Sequence, residues 1–349
     1  MPAKAPDPGA VGASPPGRRP GLAKRRILLA GKLLLAAGLF WLLFELGLLE
    51  VGPFLVLLNS WGVLALALFL TVVHWPIAAW RWHMLLHVQG IDPAFRDTFR
   101  IAYGAAFVGL YLPGGIGFDV ARIGFGISLP GSKLPVLALS VVADRLLGIM
   151  GLMVVGLVAS AALIWLGPTA STNAMDAILG GTTLLFGAVL LAILVAALAA
   201  PQLARFTEKH GWEQGNLPRR LLAQGFLAAR LYLTRPGVLA AGIGLSVVLH
   251  GLTIVCLVVI ASGIGLGDSS AWKYALAGTL SLVVNSLPVT PGGVGMGEAA
   301  FSQFMLWLEP QAGALPYASA FLAYRVITAI TLVPALAAMP SSLRRVEPR

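Results

Sequence analysis

The sequence predicts an all-α polytopic integral membrane protein, and three observations carry that prediction. Of its 349 residues, 58% are hydrophobic and 11% charged, for a mean hydropathy of +0.87; a soluble chain carries about 25% charged residues. Apolar runs of about 20 residues, enough for a helix to cross a bilayer, recur along the chain. Alternating ten-residue strands are missing, which argues against an outer-membrane barrel. The net charge of +10 would point to nucleic acid in a soluble protein. Here it points to cytoplasmic loops facing anionic lipid, and no nucleic-acid partner is expected. The single cysteine, Cys256, allows no internal disulfide and no cysteine metal site.

Taken in order, residues 1–23 hold six prolines among Gly, Ala and Arg and read as a disordered cytoplasmic tail. Lys24, Arg25 and Arg26 then flank the apolar run Ile27–Leu48, too long for a signal-peptide core and so a first uncleaved span. A second span is expected over about Trp61–Trp80. Thr98–Ile127 is two short apolar arms around a Pro-Gly-Gly break, neither reaching the ~20 residues needed to cross, so a hairpin entering and leaving on one side fits better. A third span lies within Pro135–Trp165, with Pro135 suited to the first turn, and a fourth covers about Ala177–Ala200. Residues 201–235 are polar and basic and carry a surface helix around Arg219–Leu233. The fifth span is about Val238–Ile264, a second short-armed hairpin is Trp272–Leu308, and the sixth span is about Tyr317–Met339. Residues 341–349 form a basic tail.

Charge orients this layout. With the N-terminus in the cytoplasm, Lys and Arg number 6 before the first span, 5 from Arg81 to Lys133, 6 from Arg205 to Arg235 and 3 after Met339, which is 20 of the 24. The positive-inside rule is then met on every loop, with both termini cytoplasmic in the cell's inner membrane. The first hairpin opens from the cytoplasm and the second from the far side. Two spans, a hairpin and a third span therefore occur twice with opposite orientation, over about residues 27–165 and 177–339. That is an inverted repeat of six spans and two re-entrant hairpins within a domain of residues 24–340. Discontinuous helices at matching positions of such a repeat point to a transporter's substrate site.

The two breaks are LPGGIGFDVAR, Leu112–Arg122, and LPVTPGGVGMGEAA, Leu287–Ala300. Each has a proline, a glycine pair and then a carboxylate: Pro113, Gly114, Gly115 and Asp119 in one, Pro291, Gly292, Gly293 and Glu298 in the other. A lone arginine follows in an apolar run: Arg145 lies 32 positions after Pro113, and Arg325 lies 34 after Pro291. Glycine lets the chain reverse and other groups approach its backbone. The helix after each turn offers free N–H groups to an anion such as a lipid phosphate; alternatively, the glycines only let two helices pack.

Asp119 and Glu298 sit where acids offset a helix dipole, and simple capping competes with a proton-path role. Arg122 can form a local i,i+3 pair with Asp119. An arginine at the centre of a span costs about 2.5–3.5 kcal/mol, so Arg145 and Arg325 should face the interior. Their candidate partners are Asp119, Glu298 or a bidentately bound phosphate, and a purely structural ion pair is the alternative. Asp144 adjoins Arg145 in sequence, but adjacent helical residues point apart. Asn285 is expected to tie down freed backbone groups. His74 and His250 precede their motif prolines by 39 and 41 positions, so they are weighed as a proton relay against hydrogen-bonded packing.

Enzyme signatures are missing: there is no HExxH, GxSxG, P-loop or post-strand GxGxxG. In GIGFD, Asp119 comes one residue too late for the GxGD pattern of intramembrane aspartyl proteases. No metal cluster or cofactor is expected.

On LPGGIGFDVAR, VADRLLG, NSLPVTPGGVGMGEAAF and the closing YRVIT, the chain resembles the lysylphosphatidylglycerol synthase transmembrane-region family, also called the flippase-like domain family, over about residues 25–340. The resemblance implies lipid translocation, with Asp119, Arg122, Arg145, Glu298 and Arg325 on motif positions. The substrate would be an aminoacyl-phosphatidylglycerol-like or polyprenyl-linked lipid, with a separate lipid-modifying synthase or glycosyltransferase as a partner and a homo-oligomer left open. The transferase domain of two-part members would follow the last span, and this sequence stops at Arg349, so no enzymatic activity is expected. The rival reading is a non-transporting membrane partner that organises a lipid or glycan biosynthesis complex. It predicts arginines fully paired by protein and no head-group-sized polar cavity.

Overall fold

The computed structural model describes residues 52–338 except 111–115, 167–172, 267–268, 288, 291–292 and 311–314, together with positions 38, 41, 44 and 45. Most of the expected first span, both tails, and Pro113, Gly114, Gly115, Pro291 and Gly292 lie outside the described residues.

Within them every regular element is helical: α1 Gly52–Asn59, α2 Trp61–Val88, α3 Phe95–Gly109, α4 Ile116–Gly126, α5 Leu134–Leu166, α6 Asn173–Lys209, α7 Leu217–Leu233, α8 Pro236–Gly263, α9 Ala271–Asn285, α10 Met296–Leu308, α11 Tyr317–Leu332 and α12 Ala335–Ala338. Four helices are long and apolar enough to cross a membrane: Trp61–Val88, Leu134–Leu166, Met175–Lys209 and Pro236–Gly263. This is a multi-pass membrane protein by its apolar helices. The sixth expected span is shorter than its apolar run. α11 ends at Leu332, and the chain turns through Val333–Pro334 before a last short helix. Proline has no N–H to continue the ladder and clashes with the preceding turn. Sixteen residues of helix rise only about 24 Å.

The long helices α2, α5 and α8 pack against one another. Small residues let them approach, as in other membrane bundles where lipid gives no hydrophobic drive to association. A Cβ on Gly151 of α5 would overlap the side chain of Ser246 on α8 and lie 2.8 Å from its backbone carbon. Two pairs of short helices flank this core. α3 and α4 pack together and rest on α2, α5, α11 and α12. α9 and α10 pack together and rest on α5, α8 and α11. Each pair thus rests on the long helices and α11, and the first pair also on α12.

The α9–α10 side holds the largest apolar core, with Leu257, Ile260, Phe301, Met305, Tyr317 and Phe321 all buried. A second cluster, Trp82, Leu86, Ile101, Leu137 and Val141, seats the α3–α4 pair. At the outer end of α9–α10, Glu309 acts as a clasp: it accepts hydrogen bonds from Ser269, from Lys273 (2.9 Å) and from Tyr317 (2.8 Å). The start of α9, the end of α10 and the start of α11 are fixed together by that one carboxylate. The surface helix α7 forms as expected. Asn216 caps it by accepting the Arg219 N–H, and leucines 217, 221, 222, 227 and 231 are exposed beside its arginines.

Candidate functional site

The marked residues fall into two sets, each on its own group of helices. The first lies on α2, α4 and α5 and is an alternating row of five charges. Arg81 forks onto Asp144, Nε to Oδ1 at 2.8 Å and Nη2 to Oδ2 at 3.2 Å. Arg122 Nη1 donates to the same Asp144 Oδ2 at 2.8 Å, and its Nη2 reaches Asp119 Oδ1 at 3.4 Å. Arg145 Nε donates to Asp119 Oδ2 at 2.7 Å. Arg81 also donates to Ser246 Oγ of α8 at 2.7 Å, so the row is anchored to the helix core.

Arg122 is 1% exposed and Asp144 3%. The Arg122 guanidinium lies between the Phe118 ring (4.6 Å to its centroid) and that of Trp82 (4.9 Å). Cation–π contact and two carboxylates compensate a charge that would otherwise be costly to bury. Its Nε, however, is buried with no hydrogen-bond partner. Beside this row is a cavity of about 300 Å³, its open mouth included, walled by Trp75, Ala78 and Arg81 of α2, Ala102 and Tyr103 of α3, Phe118 and Arg122 of α4, and Asp144 of α5.

The structure corrects the reading of two of these arginines. Arg81 and Arg122 entered the charge count as cytoplasmic loop residues, yet Arg81 lies inside α2 and Arg122 is buried in α4. The local i,i+3 pair of Arg122 with Asp119 exists, but the shorter bond runs to Asp144. Asp144 does not serve Arg145, as the helix geometry requires; it serves two arginines on other helices. Arg81 and Asp144 are the residues that sequence reasoning passed over. Their signal is a lone arginine, framed by Trp80 and Trp82, that does not interrupt an apolar helix.

The second set lies on α9, α10 and α11. Arg325 Nε stands 3.2 Å from Glu298 Oε1, and its Nη1 donates to Asn285 Oδ1 at 2.7 Å. Glu298 Oε2 accepts the N–H of Gly295 at 2.9 Å. The capping and pairing roles weighed for Glu298 are therefore both present, one on each oxygen. Asn285 spends its side-chain oxygen on the arginine rather than on freed backbone. Gly293 (φ +73°) and Gly295 (φ +84°) are left-handed, a region glycine enters without steric penalty. A Cβ on Gly293 would also collide with the Asn285 side chain and sit 2.7 Å from its carbonyl oxygen.

The histidines are fixed by backbone: His250 Nε2 bonds the Gly148 carbonyl at 3.1 Å, and His74 bonds the backbone at Leu249. His74 also lines a second cavity, of about 290 Å³ with its mouth, between α2, α8 and α11. No cluster of His, Cys, Asp and Glu able to hold a metal occurs among the described residues.

No curated protein and no solved structure matches the chain. Residues 29–336 match the family described as Lysylphosphatidylglycerol synthase TM region. The match spans every helix that holds the two charged sets, and the chain belongs to the lysylphosphatidylglycerol synthase TM region family.

Proposed function

We propose that this protein is a lipid translocase of the cytoplasmic membrane that takes the phosphate of an anionic head group onto Arg81 and Arg122. The observation that carries this reading is the cavity beside the charged row, with Arg81 and Arg122 among its lining residues, together with a buried Arg122 Nε that has no acceptor. A buried N–H without an acceptor costs about 1–3 kcal/mol. A phosphate oxygen would supply the acceptor, and guanidinium–phosphate pairs are strong and bidentate. Acyl chains would stay in the bilayer while the head group passes along the cavity.

In this reading the α3–α4 and α9–α10 pairs are re-entrant hairpins of an inverted repeat, entering from opposite faces, with both termini in the cytoplasm. Its support is a parallel in the ion pairs. Each short-helix pair supplies an acid to the arginine of the helix that follows: Asp119 to Arg145 and Glu298 to Arg325. Protonation of either acid would release its arginine, a route for coupling to a proton gradient, with His74 and His250 holding the helices between them.

The test is transbilayer movement of fluorescent phosphatidylglycerol in proteoliposomes. Arg81→Gln is expected to abolish movement while the protein still elutes as a single folded species. Wild-type rates in that variant would end the phosphate assignment.

A further inference from the structure

Helix α7 joins the end of α6 to the start of α8, two of the helices long enough to cross a bilayer, so it stands at a bilayer surface. Its 17 residues, with Arg219, Arg220 and Arg230 among them, are too few and too charged to cross. It rests on α6 and α8, with Ala223 and Tyr232 buried. Another side of it is open. Leu217, Leu221, Leu227 and Leu231 are exposed, and their spacing keeps all four within one side of a helix. Arg220 falls on that side too and is exposed. Arg219 and Arg230 border it along one edge.

Such a stripe fits a helix lying in the plane of the bilayer surface. Its leucines sink to the boundary between head groups and acyl chains while its cations stay among the head groups. Charge selects the kind of surface. Residues 201–235 carry six basic side chains against two acids, and one of those acids, Glu208, is already paired with Arg230 at 3.7 Å. A second copy laid on the same stripe would bring one Arg220 towards the other, and like charges repel. Anionic head groups meet the same arginines with the opposite sign.

We propose that α7 is an in-plane anchor that binds an anionic bilayer surface and passes that contact to α2. The link is Tyr232. Its ring belongs to one buried cluster with Leu85 of α2 and Leu147 of α5. Its hydroxyl bonds the side chain of Gln89 at 2.5 Å, and Gln89 caps the end of α2, the helix that carries Arg81. An anionic surface therefore steadies α7 and, through Tyr232, the end of α2. The anchor answers to surface charge and takes no head group into the bundle, so it stands independently of the translocase reading.

The experiment is hydrogen exchange of the full chain, one copy per nanodisc. The bilayer is phosphatidylcholine alone, or has a third of it replaced by phosphatidylglycerol or by phosphatidylserine. Amides of α7 should exchange about twentyfold more slowly on either anionic bilayer, roughly fivefold for each of Arg219 and Arg220. High salt should shrink the difference, and Arg219→Gln with Arg220→Gln should abolish it. A bimane on Leu221→Cys, in a Cys256→Ser background, should be quenched by brominated acyl chains. Tyr232→Phe should keep the slowing of α7 and lose the accompanying slowing at residues 86–91. Equal exchange on neutral and anionic bilayers, or a response to phosphatidylglycerol alone, overturns the anchor. So does a bimane quenched by aqueous iodide and not by bromolipid, which would leave the stripe to a second copy or another protein. Slowing at residues 86–91 that survives in Tyr232→Phe overturns the link to α2.

Discussion

Arg81 on α2 and Asp144 on α5 form a two-pronged ion pair, 2.8 and 3.2 Å, across 63 residues of chain. Asp144 also carries Arg122 at 2.8 Å. Replacing Asp144 by Asn removes the counter-charge of two guanidiniums, one of them almost fully buried. Loss of one partner from a buried pair costs roughly 3–5 kcal/mol, whereas replacing the whole pair by apolar side chains is often far milder. Asp144→Asn should therefore be the least stable variant in a detergent unfolding titration, and Arg81→Met with Asp144→Leu should recover part of the loss. An additive double variant would show that the two residues do not act as a pair.

Glu298 divides its oxygens between Gly295 N–H and Arg325. Glu298→Gln keeps an acceptor for the N–H and loses the charge, while Glu298→Ala loses both. Thermal midpoints should fall in the order wild type, Gln, Ala, with about 1 kcal/mol separating the last two, the size of one hydrogen bond. Equal midpoints for Gln and Ala would remove the capping role.

Gly293 combines a left-handed backbone with contact against Asn285. Gly293→Ala adds a strain of about 1–2 kcal/mol and pushes on the side chain that holds Arg325. It should lower both thermal stability and transbilayer movement. A matched change at Gly251, where an added Cβ meets nothing within 4 Å, should leave both near wild type.

The proposed opposite entry of the two short-helix pairs is open to thiol labelling. In a Cys256→Ser background, Lys133→Cys and Ser270→Cys report the loops beside the first and second pair; both positions are exposed. A membrane-impermeant maleimide should reach Lys133→Cys from the cytoplasmic face and Ser270→Cys from the other. Labelling of both from one face would remove the inverted repeat.

Much of the helical layout was legible because apolar length and proline or glycine punctuation act locally. α7 and both short pairs fall where those signals placed them, while α6 runs on through Pro201 to Lys209, and α11 stops at a proline that the apolar run disguised. The acid and arginine of each motif were legible as partners because a lone charge in an apolar run must find its opposite. Arg81 was not: the second span was expected to end near Trp80, one residue before it, and the helix instead continues to Val88. The partners of Asp144 come from helices that only tertiary packing brings to α5, so no spacing rule along one helix could reveal them.

The near-contact of Gly151 with Ser246 has a mechanical meaning. The glycine leaves no room for a side chain between α5 and α8 at this level, and Arg81 donates to the same Ser246. Enlarging Gly151 to Val would wedge α5 from α8 and disturb the charged row from behind, without touching a single charge.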